Sequence, residues 1–314
     1  MAEMWAVRAH ARGGPEQLRW KRAPRPAPGP GEALVRVRAA GITPTELDWR
    51  ATWVDRAGHD RTPVIPSHEF AGMVEALGPG ATHVSPGDAV YGLVEFDRDG
   101  AAAEYVALRA RDLAKRPATL DDVHAAAIPL SGLTAWQALV EQARLGPGAR
   151  VLVHGGAGGV GSFAVQVTRV LGAEVWATAS ARDVPFVRGL GASRVVDHRA
   201  ERFEDVVRDV DVVVDTVGGD TRDRSLAVLR PGGVLVTLGG PPPEAGPRRP
   251  DVRVVFFVVE PDRVGLERLA ELADAGRLRA EVAGVYPLAE ARAAYEHGRT
   301  NHPRGKLVLR VADA

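Results

Sequence analysis

The 314-residue chain contains no cysteine. That absence excludes disulfides, thiolate zinc sites, iron–sulfur clusters and cysteine nucleophiles together. Charge of one sign is not in excess either: Lys+Arg and Asp+Glu both number 40. The charges are scattered singly rather than in blocks, so no nucleic-acid groove is expected. No segment approaches the ~20 uninterrupted apolar residues of a membrane span, and the opening MAEMWAVRAHARGG has no apolar run suited to export. A cytoplasmic protein with small-molecule partners, no nucleic acid and no membrane, is the default expectation. Lysine is scarce, confined to Lys21, Lys115 and Lys306, a bias read here as having no functional weight. With 45% hydrophobic residues, the length suffices for two domains with ordinary cores.

What is present divides the chain in three. From residue 1 to about 118, short alternating runs are punctuated by Pro and Gly. In Ala33–Ala39 and Glu69–Leu77 apolar residues recur at every second position, as in half-buried strands. From 119 to 259 the rhythm becomes strand, turn, helix. VLVH (151–154) leads to a helix from Gly159 to Leu171 that Gly172 can close; EVWAT (174–178), a helix ending near Gly191, RVVD, DVVVDT, VLVTL and VRVVFFVV follow. Six strands of near-continuous Val and Leu predict a parallel sheet buried on both faces, and hence an α/β fold. After 260 come helices over Asp262–Ala275 and Leu288–Gly298 and a last strand, KLVLRV. With no long linker, this tail is expected to pack back onto the first domain. The stretch GGPPPEAGPRRP (239–250) is expected to be a mobile surface loop.

The most specific motif is Gly156-Ala157-Gly158-Gly159-Val160-Gly161. A G-x-G-x-x-G alone is weak, but this one follows a strand and opens a helix inside a repeated βα pattern. Glycines let the backbone approach a pyrophosphate, and the amides and dipole of the helix N-terminus favour its charge. Which dinucleotide is preferred depends on the end of the second strand, Thr178-Ala179-Ser180-Ala181-Arg182. An acceptor carboxylate there suits the ribose hydroxyls of NAD, whereas a 2′-phosphate needs donors and positive charge. Ser180 can donate and Arg182 can pair with a phosphate in a forked geometry. Asp183 follows the arginine and reads as a first-turn residue of the next helix. NADPH is therefore the expected cofactor, the alternative being that Arg182 is simply a solvated arginine.

At this point the chain resembles a known family. APGPGEALVRVRAAGITPTELD, IPSHEFAGMVEALGPGATHVSPGDAVYG, AAAEYV, IPLSGLTAWQAL, PGARVLVHGGAGGVGSFAVQ, RPGGVLVTLGG and RGKLVLRV, in that order, are similar to the medium-chain dehydrogenase/reductase superfamily, and most to its zinc-independent quinone oxidoreductase and enoyl-reductase-like branch. The resemblance implies a GroES-like β-rich catalytic domain over 1–118, completed by 260–314. It also implies a Rossmann domain with a doubly wound parallel six-stranded sheet over 119–259, and an active site between them. A homodimer formed through the last Rossmann strand, around Arg253 to Val259, is implied as well.

The zinc enzymes of that superfamily place cysteines at the positions that read Thr43 and Leu130 here, and a His-Glu pair at His68-Glu69. A threonine hydroxyl is a poor ligand and leucine is none, leaving too few of the about three protein ligands a catalytic zinc needs. The structural-zinc lobe is missing too, since Gly92 to Glu104 runs into the next strand without a cysteine. No metal is expected.

The implied chemistry is hydride transfer from reduced nicotinamide to a quinone or α,β-unsaturated carbonyl, where hydrogen-bond donors can replace a Lewis acid. Thr43, Asp48, Trp49 and His68 are the catalytic candidates. His68 either donates to substrate or is a buried histidine satisfied by backbone or Glu69. Trp49 and Trp53 either face a flat substrate or are ordinary packing. Thr134, His198 and Gly239 join Gly156, Gly158, Gly159, Val160, Gly161, Ser180 and Arg182 in the cofactor set, the alternative for His198 being a solvated surface histidine. Glu69 and Tyr91 read as structural; Lys306 could reach the cleft, although a lone lysine at a strand start is usually solvated. Two other readings stay open: a metal-free carbonyl reductase, and a dinucleotide-binding module with little turnover.

Overall fold

The computed structural model describes residues 2–243 and 246–311, so two residues of the 239–250 loop, Glu244 and Ala245, lie outside the described residues. Two compact units are present: Met1–Leu133 with Glu260–Gly276 and Ala280–Ala314, and Thr134–Val259 with Arg277–Arg279.

The first unit is built on a seven-stranded sheet. Its path runs Val282–Pro287, Lys306–Arg310, Glu32–Ile42, Glu69–Leu77, Ala89–Leu93, Ala114–Lys115, with Tyr105–Arg109 also paired to Glu32–Ile42. Glu32–Ile42 is the organiser. Its second half is buried on both faces, and Phe70, Ile42 and Leu307 are almost solvent-free beside it; burying each such side chain stabilises by about 1.5–3 kcal/mol. Registry then sets the site. Gly41 pairs with Glu69 and Ile42 with Leu307, so Thr43, Glu69 and Lys306 emerge at one end of three adjacent strands. Only glycine fits at position 41, where a Cβ would lie 2.6 Å from the Ala126 carbonyl and from Glu69 Oε1. In the tail, Leu307–Arg310 pairs antiparallel with Ala39–Ile42.

The unit boundary falls at Leu133 rather than at 118. The Asp122–Ala126 helix, capped by the Asp121 side chain accepting from His124 N, packs against the Glu32–Ile42 and Glu69–Leu77 strands. Leu130 N–H then donates to Glu69 Oε2 at 2.8 Å. These contacts draw residues 119–133 into the strand-rich unit.

The second unit carries the six-stranded parallel sheet. Its spatial order is Arg194–Asp197, Glu174–Ala179, Arg150–Val153, Val210–Asp215, Leu229–Thr237, Arg253–Phe256. In chain order that is third, second, first, fourth, fifth, sixth, the doubly wound arrangement, whose crevice lies where the order reverses, between first and fourth strands. The last strand is shorter than its run of apolar residues predicts. The first crossover helix, Gly159–Val170, buries Phe163, Ala164 and Val167 against the sheet and is closed by Gly172 at φ +78°. Among the described residues no helix is long and apolar enough to cross a membrane.

Candidate functional site

In the second unit, the glycine motif forms the turn between the first strand and its helix. Gly155 has φ +69°, Gly156 N–H donates to Thr178 O at 2.9 Å, and Gly158 N–H donates to Gly155 O at 2.9 Å. A Cβ at Gly161 would lie 2.1 Å from Gly155 O, and one at Gly156 would lie 2.9 Å from Ala177 Cβ. Both glycines are therefore forced by close packing. Gly158, by contrast, has only Gly155 O within reach, at 3.4 Å, and no side chain caps the helix. The helix thus starts at an uncapped Gly158 with room beside it, and the first-turn amides of such an N-terminus make a cradle that fits a pyrophosphate.

At the end of the second strand, Ser180 Oγ donates to Asp183 Oδ2 at 2.6 Å and Arg182 Nε to the same oxygen at 3.3 Å. Asp183 is buried, whereas the Arg182 side chain is 67% exposed. So Ser180 is engaged by an internal carboxylate instead of projecting outward, and Arg182 is the exposed charge at this corner. His198 Nδ1 donates to Ala179 O at 3.2 Å, directly beside this group. Gly239 packs on the turn after the fourth strand, where its Cβ would lie 2.9 Å from Gly218 Cα. Thr134 is nearly buried where the chain enters this unit.

The first unit contributes a buried polar cluster. Glu46 accepts from the Tyr295 hydroxyl at 2.5 Å and Thr43 N–H at 3.3 Å on one oxygen, and from Ser67 N–H at 2.9 Å on the other. Burial nonetheless dominates and pushes its carboxyl up to about 7. His68 Nε2 lies 3.9 Å from Glu46 Oε2, and Nδ1 has no hydrogen-bond partner. Burial first, and the Arg61 guanidinium second, push its pKa down to about 3, outweighing a weak contact with the Glu95 backbone. The ring is neutral, and Glu69 does not satisfy it. Glu69 instead receives Leu130 N–H, and Lys306 Nζ sits 2.6 Å from its other oxygen and 3.3 Å from Thr43 Oγ1.

Lys306 is thereby corrected: it is 5% exposed and ion-paired, not solvated. Asp48 is not brought into this cluster. Both its oxygens accept from Arg299 Nη2, at 2.9 and 3.0 Å, on the surface. Trp53 is packing, with its indole N–H on Leu47 O at 2.8 Å. Trp49 is half-buried and edge-on to Phe96, at 5.5 Å between ring centres, and Phe96 is edge-on to His68 at 5.0 Å. Tyr91 donates to Leu266 O and is structural, its phenol pushed far up by burial. Sequence reasoning missed Glu46, Tyr295 and Phe96. Glu46 lay in the quoted GITPTELD run, but nothing local marks a carboxylate whose partner is 249 residues away. Among the described residues no three His, Cys, Asp or Glu side chains gather as a metal site.

Comparison with known proteins places this arrangement. Residues 29–118 match the alcohol dehydrogenase GroES-like domain, and residues 190–309 match the zinc-binding dehydrogenase model. A 2-haloacrylate reductase of Burkholderia sp is 32% identical, with 96% of this chain and 97% of that protein covered. The chloroplastic NADPH-dependent alkenal/one oxidoreductase of Arabidopsis thaliana is 32% identical, over 88% and 72%. The solved quinone oxidoreductase of Coxiella burnetii superposes with a TM-score of 0.90 at 30% identity, over 99% of this chain and 100% of that one.

Proposed function

The chain belongs to the medium-chain dehydrogenase/reductase superfamily, and on that premise we propose that it is an NADPH-dependent, zinc-independent reductase of quinones or α,β-unsaturated carbonyls. Its relatives are oxidoreductases of enone and quinone type, which sets the reaction class. The observation that carries the metal-free reading is the ion pair of Lys306 with Glu69 beside Thr43. An ammonium already neutralises the one carboxylate of the family's ligand positions, and Thr43 and Leu130 supply no thiolate. On this reading the zinc in the matched family's description has no ligand set here.

A reduced nicotinamide dinucleotide, held by its pyrophosphate at the glycine turn, would supply hydride from the C4 atom of its nicotinamide. The protein's part is orientation and charge. The helix amides at Gly159 to Gly161 hold the pyrophosphate, and Arg182 offers a donor fork to a 2′-phosphate. Thr43 Oγ offers a hydrogen bond to the acceptor's oxygen as negative charge develops on it, and the neutral His68 ring, its Nδ1 unpartnered, lies buried in the same cluster. Trp49 and Phe96 present ring surface to a flat conjugated acceptor. Glu46, its carboxyl pushed up to about 7 by burial and hydrogen-bonded within the same cluster, is a candidate proton store. A homodimer through the exposed edge of the Arg253–Phe256 strand completes the proposal.

The test is consumption of NADPH and NADH by EDTA-treated protein across quinones, enones and simple ketones. Turnover confined to conjugated acceptors, with NADPH preferred, supports the reading. Activity that appears only on adding zinc sinks the metal-free part, turnover of simple ketones favours a carbonyl reductase, and tight NADPH binding without turnover favours a binding module.

A further inference from the structure

Beneath the glycine turn lies a buried side-chain chain that the proposed function has not used. His154, fully buried at the end of the first strand, has Nδ1 3.2 Å from Thr178 Oγ1 and Nε2 2.9 Å from Ser225 Oγ. Ser225 Oγ donates to Thr221 O at 2.6 Å, and Gly155 N–H donates to Thr178 Oγ1 at 3.2 Å. Each hydroxyl has one proton to give. The Ser225 proton goes to a carbonyl, so Ser225 can only accept from the ring, and Nε2 must carry hydrogen. Thr178 already accepts from Gly155, and His154 Nδ1 is the acceptor within reach of its own proton. Both ends demand the same tautomer, and the reverse one leaves the Thr178 proton without an acceptor.

The hydrogen bonds therefore run one way, from Gly155 N–H through Thr178 and His154 to Ser225 and Thr221. They join the turn after the first strand to the Gly219–Ser225 helix that follows the fourth, across the point where strand order reverses. We propose that His154 is a positioning residue for the dinucleotide, which as the Nε2–H tautomer orients the Thr178 hydroxyl and so sets Gly155 and the turn built on it. Gly155 is the pivot: its N–H is held by Thr178 Oγ1, its carbonyl accepts from Gly158 N–H, and its φ is +69°. The ring's neutrality agrees, since burial pushes its pKa down to about 4. The proposal rests on the reading of Gly156–Gly161 as the cofactor turn.

The test combines NMR of the ring nitrogens in cofactor-free protein with NADPH titration of variants. Wild type is expected to show a protonated Nε2 and a bare Nδ1. Thr178→Val should raise the NADPH dissociation constant about tenfold, the net worth of roughly one hydrogen bond, with kcat at saturation little changed, and Thr178→Ser should restore binding. Ser225→Ala leaves the sheet untouched and keeps the test decisive if Thr178→Val does not fold: Nε2 loses its acceptor, the tautomers mix, and NADPH binds more weakly. A bare Nε2 in wild type overturns the proposal, as does wild-type affinity in the variants. A wild type that binds neither NADPH nor NADH overturns the reading of the turn itself, and this proposal with it.

Discussion

Lys306 Nζ lies 2.6 Å from Glu69 Oε1, with side chains 6% and 0% exposed, so a charge pair is held almost wholly out of water. Glu69 Oε1 makes no directed hydrogen bond, so the contact is ionic and the ammonium is what neutralises that oxygen. Removing one partner of such a pair leaves an uncompensated buried charge and costs about 3–5 kcal/mol. Lys306→Met is expected to lose stability on that scale in urea denaturation, and Lys306→Met with Glu69→Gln to recover most of it. A single variant as stable as wild type contradicts the pairing.

Glu46 makes stability depend on pH near neutrality. Its folded carboxyl is pushed up to about 7 from the ordinary 4.5 by burial, against the Tyr295 hydroxyl and the Ser67 and Thr43 amides. Below pH 4.5 the proton is bound in both states. As pH rises from 4.5 to about 7 the unfolded chain gives it up while the folded one keeps it. The stabilisation is thus fully present below 4.5 and fades by about 1.4 kcal/mol per pH unit until the folded group also ionises. Glu46→Gln should abolish this slope, so wild-type stability falls relative to the variant across that window and their difference is flat below and above it. A difference that does not change with pH contradicts the assignment.

The second unit was largely legible because its signals are local. Runs such as DVVVDT need both faces covered, and Gly156 to Gly161 sits at a strand–helix junction. The first unit's chemistry was not, because its partners meet only through registry. Lys306 becomes Glu69's counter-ion because Leu307 pairs with Ile42 and Glu69 with Gly41. No window around RGKLVLRV contains that information, and a lone lysine at a strand start is usually solvated. Asp183 failed in a different way: its place after Arg182 pointed to a helix start, which it occupies, yet its side chain turns inward and takes the Ser180 hydroxyl.

Gly161 tests the turn directly. An alanine Cβ there would lie 2.1 Å from Gly155 O, backbone that cannot swing aside. Overpacking of this kind costs about 1–3 kcal/mol, and relief by shifting Gly155 would spoil the phosphate cradle. Gly161→Ala should lose both thermal stability and NADPH binding, read by melting and by cofactor fluorescence. Unaltered affinity would show that the turn does not hold the pyrophosphate.

On the proposed reading, Arg182 is the residue that discriminates between the two nicotinamides. Its Nε is tied to Asp183 while the side chain remains two-thirds exposed, 67%, so the residue is anchored yet reachable by a 2′-phosphate. Charge-assisted hydrogen bonds contribute about 1.5–3 kcal/mol, so Arg182→Ala should raise KM for NADPH by about 10- to 100-fold. KM for NADH should stay near its wild-type value. Equal losses for the two cofactors remove Arg182 from the 2′-phosphate site.

The proposed dimer can be tested at the sheet's end. Arg253–Phe256 is last in the order of strands and pairs on one side with Leu229–Thr237. Its other edge offers unpaired backbone groups, a template for a second strand. Val254, Phe256 and Val258 are exposed there, the last at 60%, where a monomer would be expected to carry charge. Two copies meeting edge to edge would pair these groups and cover the apolar side chains, extending the sheet across a two-fold axis. Phe256→Lys with Val254→Lys should therefore convert a dimer into a chain of 33.4 kDa by light scattering, with the isolated fold retained because both side chains lie outside the core. A wild-type protein that already runs at 33.4 kDa at all concentrations removes the dimer from the proposal.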